Sequence, residues 1–398
     1  MKILMQTELF PPFVSGESVF AGSMARAMAA RGHRVAVLTS STDGPARIER
    51  QGQVRVVRVA SSANPAYDTF RQSTWPFAEA QAVVERFRPD VIHINDHGPI
   101  ALALVALSKR RRIPLLASNH FIPPNVWLNS PGLERWSHRL GLNGAIDDLL
   151  WGWLVWVYEQ ADLMTAPSQT AVDILRRHGL TCRAMPLSNG VDTTRFHPSR
   201  RREGFFSRWG VPEGAPVLLH CGRLYPSKLC SAILEAFEEA AWDIGAWLVV
   251  AGEGPDRPRL ERQASHMDCS RRIVFTGHVS DDLLPGMYAS SELFVISSMT
   301  ELQGIVVLEA QASGIPALAV RAGALPELVR PGVTGALYWP GDTAELARHM
   351  VDLTHDGRQR LGHGARQMAE RNSVRSTADA LEEMLFGITG AGSPARAA

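Results

Sequence analysis

The chain has 398 residues, 45% of them apolar and 20% charged, with a formal net charge of +1. That length suits two domains with sizeable cores, and the composition is that of a globular protein. The even charge balance argues against a nucleic-acid binder, which usually carries a basic stripe and a high pI.

Cys182, Cys221, Cys230 and Cys269 form no C-x-x-C pair. Reduced cytosolic thiols are expected rather than a disulfide framework or a zinc ribbon. The apolar part of the opening MKILMQT is too short for a signal peptide. No run reaches transmembrane length, so any membrane contact is expected to be peripheral.

In chain order, KILMQT reads as a strand and FPPFVSGES as a loop. A helix is expected from about Ser18 to Ala30, with Phe20, Met24 and Met28 on one face. RVAVLT, VRVVRV, DVIHIN and PLLASNH are further strands, separated by helices that include a long one ending near Arg86 and IALALVAL. This alternation predicts a doubly wound α/β domain. Ligand-binding residues gather at the carboxyl ends of such strands, which places Glu8, Gly16, Asp96, His97 and His120 along one rim.

Residues 121–160 are the least regular part. FIPPNVWLNSPG reads as loop, and DDLLWGWLVWVYEQ as a helix carrying Trp151, Trp153, Trp156 and Tyr158. Such aromatics are commonly packed inside, but they also suit a membrane interface. Lys109, Arg110, Arg111 and Arg112 either cap a helix end or attract anionic lipid. LMTAPS and AMPLSN flank the helix TAVDILRRHG. NGVDTTRFHPS then closes a first domain at 190, and RREGFFSRWGVPEGAP reads as a polar connector.

The second domain, 191–373, opens on VLLHCGRLYPSK, a strand running into a loop with Gly222, Arg223 and Lys228. A helix is expected to begin near Lys228. Cations at a helix start oppose its dipole unless an anion sits between them. WLVVAGEGPDRPRLE is strand, Gly-Glu-Gly turn and helix. Arg257 stands where a third glycine of G-x-G-x-x-G would be, so the dinucleotide fingerprint is absent. IVFTGHVS is a strand ending at His278 and Val279. After LFVIS comes SSMTELQGIVVLEAQASGIPALAV, where Gly304 opens a helix and Gly314 and Pro316 close it. Glu301 lies in the turn and Glu309 about two turns into that helix. Three helices are expected near 342–353, 357–371 and 374–387, with a disordered tail over 388–398.

Two Glu eight residues apart are equally a capping acid and a solvated helix acid. Inside S-x-x-E-x-x-G-x-x-x-x-E-A-x-A-x-G-x-P, beside N-G-V-D and G-R-L-x-x-x-K, they resemble the donor site of retaining glycosyltransferases of family 4, from the first loop to the last helices. The resemblance implies a GT-B fold: two Rossmann-like doubly wound domains facing across a cleft, with the last helix crossing back onto the first. It implies catalytic roles for Glu301, His120, Arg223 and Lys228, and donor contacts from Gly16, Gly222, Gly254, Val279, Leu302, Gly304, Ile305 and Glu309. Loops bearing Gly323, Glu327, Thr334 and Gly335 would line the donor groove. Two positions depart from the family pattern: Ser15 replaces the first of two glycines, and Leu229 replaces a glycine after Lys228.

The implied reaction is retaining, metal-independent transfer of a hexosyl unit from a UDP- or GDP-sugar to an acceptor hydroxyl. No Asp-x-Asp metal pair is offered, and no cofactor is expected beyond the donor substrate. The wording T-E-L-Q-G and S-N-H-F-I-P-P-N resembles glycolipid-forming members. A lipid acceptor at the inner membrane face is therefore the leading expectation. The alternatives are a soluble acceptor or an inactive sugar-nucleotide-binding protein.

Overall fold

The computed structural model describes residues 1–13, 15–64, 67–123 and 143–390. Most of the loop expected after Pro123, including the end of SNHFIPPN, lies outside these residues, as does the tail from 391 onward. The described chain forms two compact units: residues 1–123, 143–190 and 374–390 make the first, and 191–373 the second.

The first unit holds β1 (Lys2–Gln6), β2 (Arg34–Ser40), β3 (Arg47–Gln51), β4 (Val54–Val59), β5 (Ser61–Asn64), β6 (Tyr67–Ser73), β7 (Val91–Ile94), β8 (Leu115–Ser118), β9 (Leu163–Ala166) and β10 (Ala184–Pro186). Its main sheet runs β10-β9-β8-β7-β1-β2-β4-β3, parallel except for β3. Sequence reading missed β3 and the β5–β6 hairpin. The charged stretch RIERQ carries no apolar alternation to reveal an edge strand.

The helices of this unit are α1 (Gly16–Ala30), α2 (Phe77–Phe87), α3 (Pro99–Arg111), α4 (Asn143–Tyr158), α5 (Gln169–Arg177) and, from the far end of the chain, α13 (Val374–Thr389). Ser15 caps α1, its side chain accepting from the Ser18 N–H, so the helix starts two residues before the expected Ser18. α13 continues through Ile388 and Thr389, residues expected to be tail. Leu381 and Leu385 on α13 are fully buried with Met24 and Met28 of α1, each worth about 1.5–3 kcal/mol. Arg31–Asp379 at 2.7 Å and His33–Glu382 at 2.6 Å flank that seam. The basic run at 109–111 occupies the last turn of α3, where cations suit the helix dipole.

The second unit contains β11 (Val217–Cys221), β12 (Trp247–Ala251), β13 (Ile273–Gly277), β14 (Leu293–Ile296), β15 (Ala317–Val320) and β16 (Gly335–Tyr338), in order β13-β12-β11-β14-β15-β16 and all parallel. Its helices are α6 (Cys230–Ile244), α7 (Arg257–Ser265), α8 (Leu284–Ala289), α9 (Ile305–Ala312), α10 (Leu325–Leu328), α11 (Thr343–Thr354) and α12 (Gly357–Arg371). The connector read as polar is anchored: Phe205 and Phe206 are buried in a 3₁₀ turn and belong to the core.

Candidate active site

Chain order reverses between neighbouring strands β11 and β14, and a crevice opens at the carboxyl ends of such a pair. β11 hands the chain to Gly222–Lys228, and β14 hands it to Ser297–Gly304. The two loops meet there. Lys228 Nζ lies 2.5 Å from Glu301 Oε1 and 3.4 Å from Ser298 Oγ. The Arg223 guanidinium stands over the Tyr225 ring, 5.3 Å from its centroid. Lys228 thus already has a counter-charge, whereas the sequence argument supplied one only from a ligand.

The expected helix start at Lys228 is displaced. Lys228 ends a 3₁₀ turn, Pro226–Lys228, and α6 begins at Cys230. Between them Leu229 holds a left-handed backbone at φ 49°. That conformation costs an L-residue roughly 1–2 kcal/mol, which explains a preference for glycine there. Behind the turn, Cys230 Sγ lies 3.2 Å from His220 Nε2, and His220 Nδ1 lies 3.0 Å from the Val295 carbonyl.

Burial alone would raise the Glu301 pKa. The Lys228 ammonium, hydrogen bonds from Lys228 and Ser298, and the Arg223 charge outweigh it and hold the carboxyl below its usual range. Glu301 is therefore an anion at neutral pH. Glu309 is the opposite case: burial pushes its pKa up to about 7, although the Tyr288 hydroxyl donates to it at 2.8 Å. It sits a little over one turn into α9, not two, because the helix begins only at Ile305. Gly304 takes φ 89° before that helix, and a Cβ on it would lie 2.9 Å from Leu325 Cδ2. The first intrahelical acceptor serves Val307, so the N–H groups of Ile305 and Val306 stand ahead of the ladder.

The Gly-Glu-Gly turn is locked onto the Gly222 loop. Leu224 N–H donates to the Glu253 carbonyl at 2.8 Å, and Asp256 N–H to the Leu224 carbonyl at 3.0 Å. A Cβ at Gly254 would sit 2.1 Å from the Leu224 carbonyl oxygen. Val279 is nearly buried just past β13, and Leu302 is half-buried in the Glu301 turn. Gly323 braces that turn, with the Ala324 N–H donating to the Glu301 carbonyl at 3.0 Å. Thr334 and Gly335 do not fit the expected groove lining. Thr334 is buried and bonded to the 328–330 backbone, and a Cβ at Gly335 would lie 1.8 Å from the Ala317 carbonyl oxygen. Their residue types serve strand packing.

In the first unit the switch point lies between β1 and β7. Glu8 follows β1, Asp96 and His97 follow β7, and His120 follows β8. Glu8 is a structural staple that accepts from the Ser73 hydroxyl at 2.7 Å and from Ser40. Burial, then the Asp96 charge, push its pKa to about 7. His120 packs on Phe20 with ring centroids 4.7 Å apart, and both its buried ring nitrogens lack a well-formed hydrogen bond. Burial lowers its pKa to about 4, partly countered by Asn189, so the ring is neutral. Gly16 opens α1 with open space where a Cβ would stand. The structure thus brings Glu301, Lys228 and Arg223 to one switch point, with Glu309 on the helix that follows, while Gly16 and His120 belong to the other unit. Sequence reasoning missed Ser298, Tyr225 and Tyr288. Ser298 was visible as the first letter of the Glu301 motif; the two tyrosines carried no signal.

Residues 14–195 match the model described as Glycosyltransferase Family 4, and residues 201–368 match Glycosyl transferases group 1. The chain is 30% identical over 370 residues to a GDP-mannose-dependent alpha-mannosyltransferase of Mycobacterium tuberculosis, covering 92% of this chain and 91% of that one. It is 28% identical over 383 residues to the sulfoquinovosyl transferase SQD2 of Arabidopsis thaliana, covering 92% and 69%. With the alpha-monoglucosyldiacylglycerol synthase of Streptococcus pneumoniae the identity is 24% over 345 residues, covering 85% and 76%. Among solved structures, a sucrose-phosphate synthase from Thermosynechococcus elongatus shares the fold with a TM-score of 0.78 at 19% identity, covering 98% of this chain and all of that one. With its two parallel-sheet units and this relationship over most of its length, the chain belongs to glycosyltransferase family 4 and is a glycosyltransferase of the GT-B class.

Proposed function

We propose that this enzyme moves a hexosyl unit from a nucleoside diphosphate sugar to an acceptor hydroxyl, with retention at the anomeric carbon and without a metal ion. One observation carries the reading: Lys228 and Glu301 touch at the second unit's switch point, within reach of the Arg223 charge. Arg223 and Lys228 take the diphosphate, and the free N–H groups at the start of α9 add partial positive charge. Glu301, ionised, positions the sugar hydroxyls, and Glu309 takes the ribose. His120, neutral, contacts the sugar. Gly222 and Gly254 shape the turn beside the diphosphate, Gly16 gives the first-unit loop access to the sugar, and the backbone near Val279 faces the base. Leu302, Gly304 and Ile305 border the sugar phosphate. No cofactor is needed, since the nucleotide sugar is a substrate.

Retention follows if attack and departure share one face. The bond between the anomeric carbon and the β-phosphate oxygen breaks, the bond to the acceptor oxygen forms, and the acceptor proton passes to the departing phosphate. This route needs no protein base, consistent with a low-pKa Glu301.

The acceptor is a membrane lipid and the enzyme works at the cytoplasmic face as a peripheral protein. Leu149, Trp153 and Trp156 on α4 are 71%, 39% and 53% exposed. Their spacing of four and three puts them on one helix face, and such aromatics suit a bilayer interface. Trp151 and Tyr158 on the same helix are buried, so the packing reading accounts for those two and the membrane reading rests on Trp153 and Trp156 alone. The Streptococcus pneumoniae relative is named for a diacylglycerol product, which supports the same class. No helix among the described residues is long and apolar enough to cross a membrane.

The test is a panel of UDP- and GDP-sugars screened by thermal shift, then transfer assays with diacylglycerol vesicles and with soluble acceptors. Retained product configuration and undiminished turnover in EDTA are expected. An inverted product, or activity lost in EDTA and restored by magnesium, would sink the mechanism. Transfer to soluble acceptors alone would sink the lipid reading.

A further inference from the structure

The first unit carries a cavity away from the strand-end rim. In the β2–β4–β3 edge, registered pairs share a face, so Ala36 and Arg55, then Val57 and Ile48, lie on one side. The other side carries Val35, Val37, Val54 and Val56 into the core. Helix α2 only flanks the first side. Between that sheet face and Val83 and Phe87 of α2 lies an open groove of about 330 Å³ with mainly apolar walls. Ile48 is left 58% exposed within it.

Charged residues line the groove toward both ends, Arg47 and Arg58 at one and Arg55 and Arg86 at the other. Arg55 lies near the start of β4, and Arg86 lies near the end of α2, five residues before parallel strand β7 begins. Both therefore belong to the amino-terminal edge of the sheet. Arg50 stands directly opposite Arg55 in the ladder, and like charges so placed repel. The other arginine pair, Arg47 opposite Arg58, is neutralised by two acids: Glu49, at 3.3 and 2.9 Å, and Asp43, which pairs with Arg47. Among the described residues no carboxylate pairs with Arg50, Arg55 or Arg86. Glu79, the acid in the groove, sits seven residues before Arg86, about 10 Å along the helix.

We propose that this groove binds a single-chain anionic amphiphile, an alkyl or acyl chain ending in a phosphate. The head sits between Arg55 and Arg86, with Arg50 beside it, and the tail runs over Val57, Ile48 and Val83. Each methylene removed from water adds about 0.8 kcal/mol, and the phosphate removes the arginine repulsion. None of these residues belongs to the proposed transfer site, so the inference stands apart from that reading.

The experiment titrates the full chain with dodecyl phosphate below its micelle concentration, by calorimetry. Inorganic phosphate and dodecyltrimethylammonium serve as comparison ligands. Saturable one-to-one binding of dodecyl phosphate is expected, at least tenfold tighter than either. Ala82→Trp, at an exposed α2 position, fills the groove, and the double change Arg55→Glu with Arg86→Glu reverses its charge. Both should weaken binding at least tenfold and leave nucleoside diphosphate binding unchanged. Absent binding, equal binding of the cationic amphiphile, or affinity indifferent to both variants would overturn the proposal. So would a change in oligomeric state with Ala82→Trp and no amphiphile binding, which would assign the groove to a second copy of the chain.

Discussion

Lys228 is held by Glu301, so a diphosphate must take the ammonium from that carboxylate. The two side chains are 24% and 17% exposed. A charge-assisted hydrogen bond contributes about 1.5–3 kcal/mol when well buried, and partial solvation brings this one to about 1 kcal/mol. Glu301→Gln should release Lys228 and tighten binding of UDP or GDP, the sugar-free nucleotide, by about that amount, roughly fivefold. The same change should cost transfer about 10²–10³-fold, the scale of losing one preorganised polar contact to the reacting group. Lys228→Met should instead weaken nucleoside diphosphate binding by about 1.5–3 kcal/mol, roughly 10- to 100-fold. Calorimetry with UDP and GDP and a transfer assay with the matching sugar nucleotide read both quantities. If Glu301→Gln weakened nucleotide binding as Lys228→Met does, the competition between carboxylate and phosphate would be refuted.

Other outcomes follow from the same geometry. Glu309 has a pKa near 7 because burial penalises its charge, and ribose hydroxyls donating to it would favour the ionised form. Donor binding should therefore be fully developed above pH 7 and weaken as pH falls through 7. Glu309→Gln should flatten that profile, read as Kd between pH 6 and 8. Gly254→Ala forces a Cβ onto the Leu224 carbonyl and should lower stability by about 1–3 kcal/mol, whereas Gly16→Ala, facing open space, should be neutral within about 1 kcal/mol in urea titration. Ser15→Ala removes the α1 cap and should cost about 0.5–2 kcal/mol in the same titration. Replacing Trp153 and Trp156 by Ala should reduce flotation with diacylglycerol vesicles while leaving soluble nucleotide binding intact; unchanged flotation would remove α4 as the membrane face.

The parallel strands were legible in the sequence because a strand buried on both faces is nearly continuously apolar, as in WLVVA, LFVI and ALAV. The Glu301 motif was legible because its glycines and proline are backbone requirements: Gly304 and Gly314 both take positive φ. The edge strand β3 was hidden, since an exposed edge is written in charges that read equally as loop. Three things waited on tertiary structure. The Lys228–Glu301 contact joins residues 73 positions apart. The opposite pKa shifts of Glu301 and Glu309 depend on which neighbours burial brings, an ammonium for one and a phenol for the other. The cationic groove depends on the register of β3 against β4 and on how far α2 reaches over the sheet. Local sequence sets backbone preference and apolar period; through-space charge and register belong to residues that only folding makes neighbours.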